Sequence, residues 1–330
     1  MQQDDLVVVG LMRDVEKHVT SFVGHHLQLG AKHVVLMDNG SEDASIQAAC
    51  QLQDVTVLEC DVPYATHKHA MKRYLCDRFG QGCWCLIADL DERFEYPHSE
   101  ELHLRDFLGY LNRHGFSAVV AQMLDLFSAG PPHEWPDTSA ELERDCRFYD
   151  VSGIVQRAHQ RDRKNFIVGE NLSKWSGGIR KTAFKMQKGP NLTKHPLLFP
   201  DRGAIPSFKS AHRCRHARIA DVTCVLKHYK FDLDFFNRCQ LAVQRKNYHR
   251  ESVEYRAYLS ALQQTPHLVL KQETAQEYVS ASLLAEEGLL WVSPAYRDYC
   301  RQVACNNAKK RNPALVLTLP NGLLNDVVSS

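Results

Sequence analysis

"LIADLDERFEY", residues 86–96, is the stretch on which the fold reading turns. An apolar run from Cys83 to Ala88 reads as a buried strand and stops abruptly at three carboxylates, Asp89, Asp91 and Glu92. Like charges gathered at a strand mouth repel and lose solvation, so the arrangement calls for a counter-charge. A divalent cation is the obvious one, because hard cations take carboxylate oxygens together with substrate phosphates. Asp89 and Asp91 stand two residues apart, and on an extended strand side chains at that spacing leave the same face. The bland alternative is a solvated acidic turn.

The segments around this stretch alternate between two periodicities. "LVVVGLM" (6–12) reads as a first strand. Val15, Val19, Phe22, Val23 and Leu27 then recur at helical spacing, with Gly30 where a C-terminal cap belongs. "HVVLMD" (33–38) is a second strand, followed by a turn and a helix over 44–53. "VTVLEC" (55–60), a helix over 66–79 and a strand over 83–89 continue the series. Helix "LRDFLGYLNRHG" (104–115) and strand "SAVVAQMLDLF" (117–127) complete it. This alternation predicts an α/β fold, a mostly parallel Rossmann-like sheet with helices on both faces. Ligands of such sheets bind beyond the carboxyl ends of the strands, where Asp38 and Asp89 both fall. Residues 128–170 read as loops or a flap. "KWSGGIRKTAFKM" (174–186) predicts a turn and a following strand, "VTCVLKHYKF" (222–231) another strand, and 232–310 a helical segment.

Composition narrows the function. The chain has 330 residues and a formal net charge of +1, without the basic excess of a bulk nucleic-acid binder. Eleven cysteines cannot all pair, and no CxxC spacing occurs, so reduced thiols in a reducing, cytoplasmic setting are expected rather than a structural zinc site. The N-terminus is acidic and lacks a signal-peptide run, and no window is apolar enough to span a membrane, which leaves peripheral association open.

A second signal lies in "VLMDNGSEDAS" (35–45). Asp38 ends an apolar strand, Asn39-Gly40 makes a tight turn, and Ser41 or Asp43 is placed to cap the next helix. Asp38 is either part of a well-made turn or an acceptor for a nucleobase N–H.

In order and separation, D-N-G-S-x-D-x-S followed by D-x-D-E resembles the family 2-type glycosyltransferases of GT-A fold, most closely their bacterial branch. "SGGIRKTAF", "LTKHPLL" and "VLKHYKF" are similar to that branch's later segments, so the resemblance covers residues 5–240. It implies a catalytic domain over 1–240 and a helical C-terminal extension over 241–330. It implies Asp38 on the base of a nucleotide sugar, a UDP-sugar first, and Asp89 and Asp91 on a Mn²⁺ or Mg²⁺ bound to the diphosphate. His228 of "LKHYK" is either the late His that several GT-A enzymes recruit to the metal or a hydrogen-bonded His at a strand end. Arg13, Arg180, Lys194 and Lys230 are candidates for the nucleotide and its phosphates. The implied acceptor is a glycan or lipid-linked saccharide, as in polysaccharide biosynthesis. "MRDVE" stands where R-N-E is expected, and Arg93 intervenes before Phe94. Besides Asp91 at the metal, an inverting reaction needs a carboxylate base, and Asp125, Glu134 and Glu170 remain open for it. Competing readings are a sugar-nucleotide nucleotidyltransferase, for which "GLMRDVEKH" is poor in glycine, and a catalytically silent nucleotide-sugar-binding protein.

Overall fold

A computed structural model describes residues 1–159, 165–167, 171–207, 212–245 and 249–311. Its centre is a nine-stranded sheet. The strands are β1 (Leu6–Met12), β2 (His33–Asp38), β3 (Val55–Glu59), β4 (Trp84–Ile87), β5 (Glu92–Glu95), β6 (Ala118–Asp125), β7 (Phe166–Ile167), β8 (Thr193–Leu198) and β9 (Arg218–His228). Their order is β3-β2-β1-β4-β8-β6-β9-β5, with β7 also paired to β9. Pairing is parallel among β1 to β4 and between β9 and both β6 and β7. Two antiparallel strands interrupt it: β8 runs between β4 and β6, and β5 closes the edge beside β9. The expected mostly parallel α/β sheet is therefore present.

Both faces are covered, which is why the strands read as unbroken apolar runs. Leu6 and Val8 face a core shared with Val19, Phe22 and Val23 of α1 (Glu16–Leu29). After α2 (Ser45–Cys50), the helix α3 (Tyr64–Phe79) covers the opposite face, packing Met71, Leu75 and Cys76 on Val7 and Val9. Each such buried side chain contributes about 1.5–3 kcal/mol relative to exposure. Helix α4 (Leu104–Arg113) joins the α1 side with Phe107, Leu108 and Leu111. α1 ends at Gly30, whose φ of +111° favours glycine and lets the Ala31 N–H reach the His26 carbonyl at 2.9 Å.

Two expectations change, and a third is met by one of its two candidates. Residues 174–186 form a strand, Ser173–Gly177, and then a short helix rather than a turn and a strand. The loop over 128–170 contains an unexpected helix, α5 (Ser139–Asp145), opened by a Thr138–Glu141 capping box. Of Ser41 and Asp43, Asp43 meets the start of α2, its Oδ1 accepting the N–H of Ser45 at 3.0 Å while its Oδ2 accepts from Glu16 N–H at 3.1 Å; Ser41 Oγ instead accepts from Asp14 N–H at 3.0 Å. They stitch the loop after β2 to the start of α1.

The later chain is helical as expected. The short helix α6 (Ile179–Thr182) is followed by α7 (Phe235–Arg245) and α8 (His249–Gln264), which enclose a third core around Phe184, Phe231 and Tyr258. Helices α9 (Ala281–Glu286) and α10 (Pro294–Arg311) return to the sheet, placing Leu284 and Tyr296 in the same core as Leu6 and Phe107. Among the described residues, no helix is long and apolar enough to cross a membrane.

Candidate active site

Strand register builds the site. In the β9–β6 ladder His228 lies beside Asp125, and in the β9–β5 ladder the same His228 lies opposite Glu92. Three neighbouring strands thus set Asp125, His228 and Glu92 in one row at the carboxyl ends of β6 and β9. Asp91 joins from the preceding turn, where its carbonyl accepts the Tyr229 N–H at 2.8 Å. Strand β4 stops at Ile87, so Asp89 and Asp91 occupy a turn and not the extended strand assumed from the sequence. Their side chains accordingly take different partners.

Asp89 lies between two ammonium groups, Lys72 of α3 at 2.5 Å and Lys194 of β8 at 2.7 Å. Lys194 also donates to Glu92 at 2.5 Å, and Glu92 Oε2 accepts the Asp89 N–H at 3.1 Å. Glu92 is fully enclosed, at 0% exposure. Burial would raise the Asp89 pKa, but Lys194 and Lys72 outweigh it and hold it well below the usual range. For Glu92 burial wins: its pKa is raised despite Lys194, with Asp89 and Asp91 adding to the rise. Burial opposes the charge of Lys194 as well, yet Asp89 and Glu92 push its pKa above the usual lysine value.

Asp91 faces the imidazole. His228 Nε2 lies 3.2 Å from Asp91, and Nδ1 lies 2.5 Å from Asp125. Burial alone would lower the His228 pKa; Asp91 and then Asp125 outweigh it and raise it to about 9. Asp91 in turn is held low, burial being overcome by His228. Behind Asp125, Arg180 Nε donates at 2.8 Å and its Nη1 reaches Glu254 of α8 at 3.3 Å. Glu254 accepts from Tyr258. The Gly177-Gly178 pair makes this possible: both have positive φ, and a Cβ on Gly177 would lie 2.5 Å from the Gly153 carbonyl oxygen. The chain turns there at close quarters and sends Arg180 under the row. Lys230 sits beside Tyr255, Tyr258 and Phe235, its ammonium 5.2 Å from the Tyr255 centroid.

The structure therefore gathers Asp89, Asp91, Glu92, Asp125, Arg180, Lys194 and His228 into one connected cluster, with Lys230 at its border. Other candidates fall elsewhere. Arg13 is solvent-exposed beside Asp14 at 3.8 Å. Asp38 is buried at the end of β2, its carboxylate accepting the N–H groups of Gly40 at 2.9 Å and Ser41 at 3.0 Å, and the Ser41 hydroxyl. Glu134 lies on an exposed single-turn helix next to His133. Glu170 lies outside the described residues. Sequence reasoning missed Lys72 and Glu254. Their helical spacing marks them as ordinary amphipathic positions, and only the fold aims them at the row.

Asp91, Glu92 and His228 each offer one ligand atom within 4.8 Å of the others. Two carboxylate oxygens and one imidazole nitrogen form a donor set that suits Mn²⁺, and Mg²⁺ less well because of the nitrogen. Asp125 on Nδ1 is the carboxylate partner that orients a metal-binding imidazole. The residues fit a divalent ion.

No protein-family model matches the chain, and no curated protein matches it. Among solved structures it is similar to glucosyl-3-phosphoglycerate synthase from Mycobacterium tuberculosis, a complex with Mn²⁺, UDP and glucosyl-3-phosphoglycerate. Identity is 18%, with 37% of this chain and 44% of that one covered, at a TM-score of 0.25. HddC from Yersinia pseudotuberculosis shares 10% identity over 40% of this chain and 61% of its own, at a TM-score of 0.25. Mannose-1-phosphate geranyltransferase from Thermus thermophilus shares 9% over 53% and 49%, at 0.26. The chain thus spans less than two thirds of each of these proteins, and no activity passes to it from likenesses of this size.

Proposed function

We propose that the chain is a glycosyltransferase that takes a nucleotide sugar, a UDP-sugar first, and passes the sugar to a hydroxyl acceptor with the help of Mn²⁺ or Mg²⁺. The observation that carries this reading is the Asp125–His228–Glu92 row with Asp91 at its mouth, a metal-competent set at the carboxyl ends of a mostly parallel sheet. In this reading Asp91, Glu92 and His228 hold the ion, and Asp89 contributes through Lys72 and Lys194 rather than as a ligand. When bound, the ion neutralises the charge that develops on the departing diphosphate. Lys72 and Lys194 flank that position with two further cations, and Arg180 fixes Asp125 so that His228 presents Nε2 outward. Asp38 is proposed for the nucleotide base, through whatever its turn leaves free. Asp125 is a poor base for the acceptor's proton because Arg180 and His228 depress its pKa against burial and enclose it.

The nucleotidyltransferase reading has less support. Only Arg13, Asp14 and Val15 separate β1 from α1, too few and without the glycines a phosphate-cradling loop needs. Thermal unfolding against a panel of nucleotide sugars, with and without Mn²⁺, tests the proposal. Saturable stabilisation that requires both components is expected, followed by release of the nucleotide on incubation. A protein stabilised by no nucleotide under either condition overturns it.

A further inference from the structure

A second charged feature lies on the α3 side of the row. A small cavity of about 20 Å³ opens between α3 and the hairpin formed by Ile205–Pro206 and Cys214–Arg215. Its ionisable lining is entirely basic: His69 and Lys72 from α3, His195 from β8, and Arg213 from the hairpin, with Ser207 beside them. No described carboxylate forms an ion pair with Arg213, whereas Lys72 is held by Asp89 at one end of the cavity. The basic groups repel one another. His69 has its pKa lowered by burial and then by Lys68 and Lys72; His195, lowered to about 4, feels burial first and also Lys174 and Arg213. His195 is a neutral wall: Nδ1–H donates to the His212 carbonyl at 3.0 Å, so Nε2 must accept from His159 Nε2 at 3.1 Å.

Arg213 faces the cavity without a described counter-charge, and Lys72 adds a cation shared with Asp89, a setting that invites an anion. A volume of that size holds little more than one oxygen atom, since a water needs about 10–15 Å³ by the same measure. It does not admit a sugar ring or a base. Lys72 is shared, its ammonium 2.5 Å from Asp89, so an oxyanion in the cavity sits one side chain away from the carboxylate row. The metal-competent atoms of Asp91, Glu92 and His228 lie beyond Asp89 and Lys194, leaving the two places distinct.

We infer that this cavity receives one oxygen of an oxyanion, a phosphate or carboxylate, whose remaining atoms lie at its mouth and which is carried by the acceptor, an assignment that rests on the glycosyltransferase reading. Arg213 and Lys72 supply the charge, and His69 supplies a hydrogen bond. The acceptor is thereby narrowed from any hydroxyl compound to an acidic one.

Calorimetric titration of the full chain with inorganic phosphate, and separately with UDP plus Mn²⁺, tests this. Phosphate should bind saturably both to the free protein and to the protein already saturated with UDP and Mn²⁺. Arg213→Gln and His69→Gln, both at accessible positions, should each weaken phosphate roughly tenfold or more, the loss expected of one charge-assisted hydrogen bond. UDP–Mn²⁺ affinity should stay unchanged in both variants. Absence of saturable phosphate binding, or unaltered phosphate affinity in Arg213→Gln, overturns the cavity as a site. Competition between phosphate and UDP, or equal weakening of both, gives the cavity to the donor's diphosphate and overturns the acceptor assignment. A protein that binds phosphate through Arg213 but no nucleotide would sink the glycosyltransferase reading and leave the oxyanion cavity standing.

Discussion

On one side of Leu90, Asp89 is held by two lysines from α3 and β8, and on the other Asp91 faces an imidazole backed by Asp125 and Arg180. The two carboxylates are similarly exposed, with 38% and 31% of their side chains accessible, so solvent does not separate them. Their partners do. A lysine ammonium cannot become a ligand without losing its proton, and here Lys194 holds that proton more firmly than usual. The His228 imidazole, though its pKa is raised to about 9, still releases its proton far more readily than an ammonium and then offers a lone pair. In the proposed reading the lysine side is therefore an electrostatic brace, and the imidazole side is the half that exchanges a proton for an ion.

The largest expected effect separates the halves by function. Asp91→Asn should abolish Mn²⁺-dependent stabilisation by nucleotide and lower transfer by about 10²–10³-fold or more, the scale of losing a main electrostatic stabiliser. Because Asp91 is paired with His228, the variant should not gain stability without metal, contrary to what repulsion between bare carboxylates would give. Near-normal transfer by folded Asp91→Asn would erase the distinction between the halves.

Stability should respond most on the other side. Lys194→Met leaves Glu92 buried with its principal counter-charge removed, and breaking a buried pair in this way costs about 3–5 kcal/mol. Adding Glu92→Gln to it should recover much of the loss, a coupling that a double-mutant cycle in urea measures. Additive losses would mean that the brace is not a pair.

A pH profile sharpens the imidazole half. His228 has a folded pKa raised to about 9 against an ordinary 6.5, so its bound proton stabilises the metal-free fold fully below about pH 6.5. That contribution, on the order of 3 kcal/mol, is lost as pH rises through about 9. Urea unfolding between pH 6 and 9.5 should show the decline, and His228→Gln should flatten it.

The smallest effect expected is at Asp38. Its carboxylate satisfies two N–H groups and a hydroxyl of the turn, so Asp38→Ala should cost about 1–3 kcal/mol by thermal unfolding. A nucleotide affinity that falls further than this destabilisation explains would support the proposed base contact; unchanged affinity would leave Asp38 a turn residue.

What was legible in the sequence follows from where charge is buried. β1, β2, β4 and β6 announce themselves because both of their faces are apolar, and Gly30 marks the end of α1 by backbone geometry. The carboxylates at the mouth of β4 were legible for the same reason, as polar residues ending an apolar run. β5, "ERFE", and β8, "TKHPLL", were not. Glu92, Arg93, Lys194 and His195 are all buried, and a window of sequence cannot show that Lys194 answers Glu92 from 102 residues away. The capping box opening α5 was readable from Thr138 and Glu141. Lys72 and Glu254 were not, since a helix pattern places them on a face without saying what lies opposite.

The position of β8 has a consequence for synthesis. β4 is complete at Ile87, but one edge of it pairs only with β8, which ends at Leu198. A ribosome adds about 5–20 residues per second, so the nascent chain carries an unpaired edge on β4 for about 110 residues of synthesis, roughly 6–20 s. β6 waits on the same strand from the other side. An apolar strand with an open edge is a template for the wrong partner. The half-made protein is therefore a natural client for chaperones until a Lys- and His-bearing strand arrives to fill the middle of the sheet.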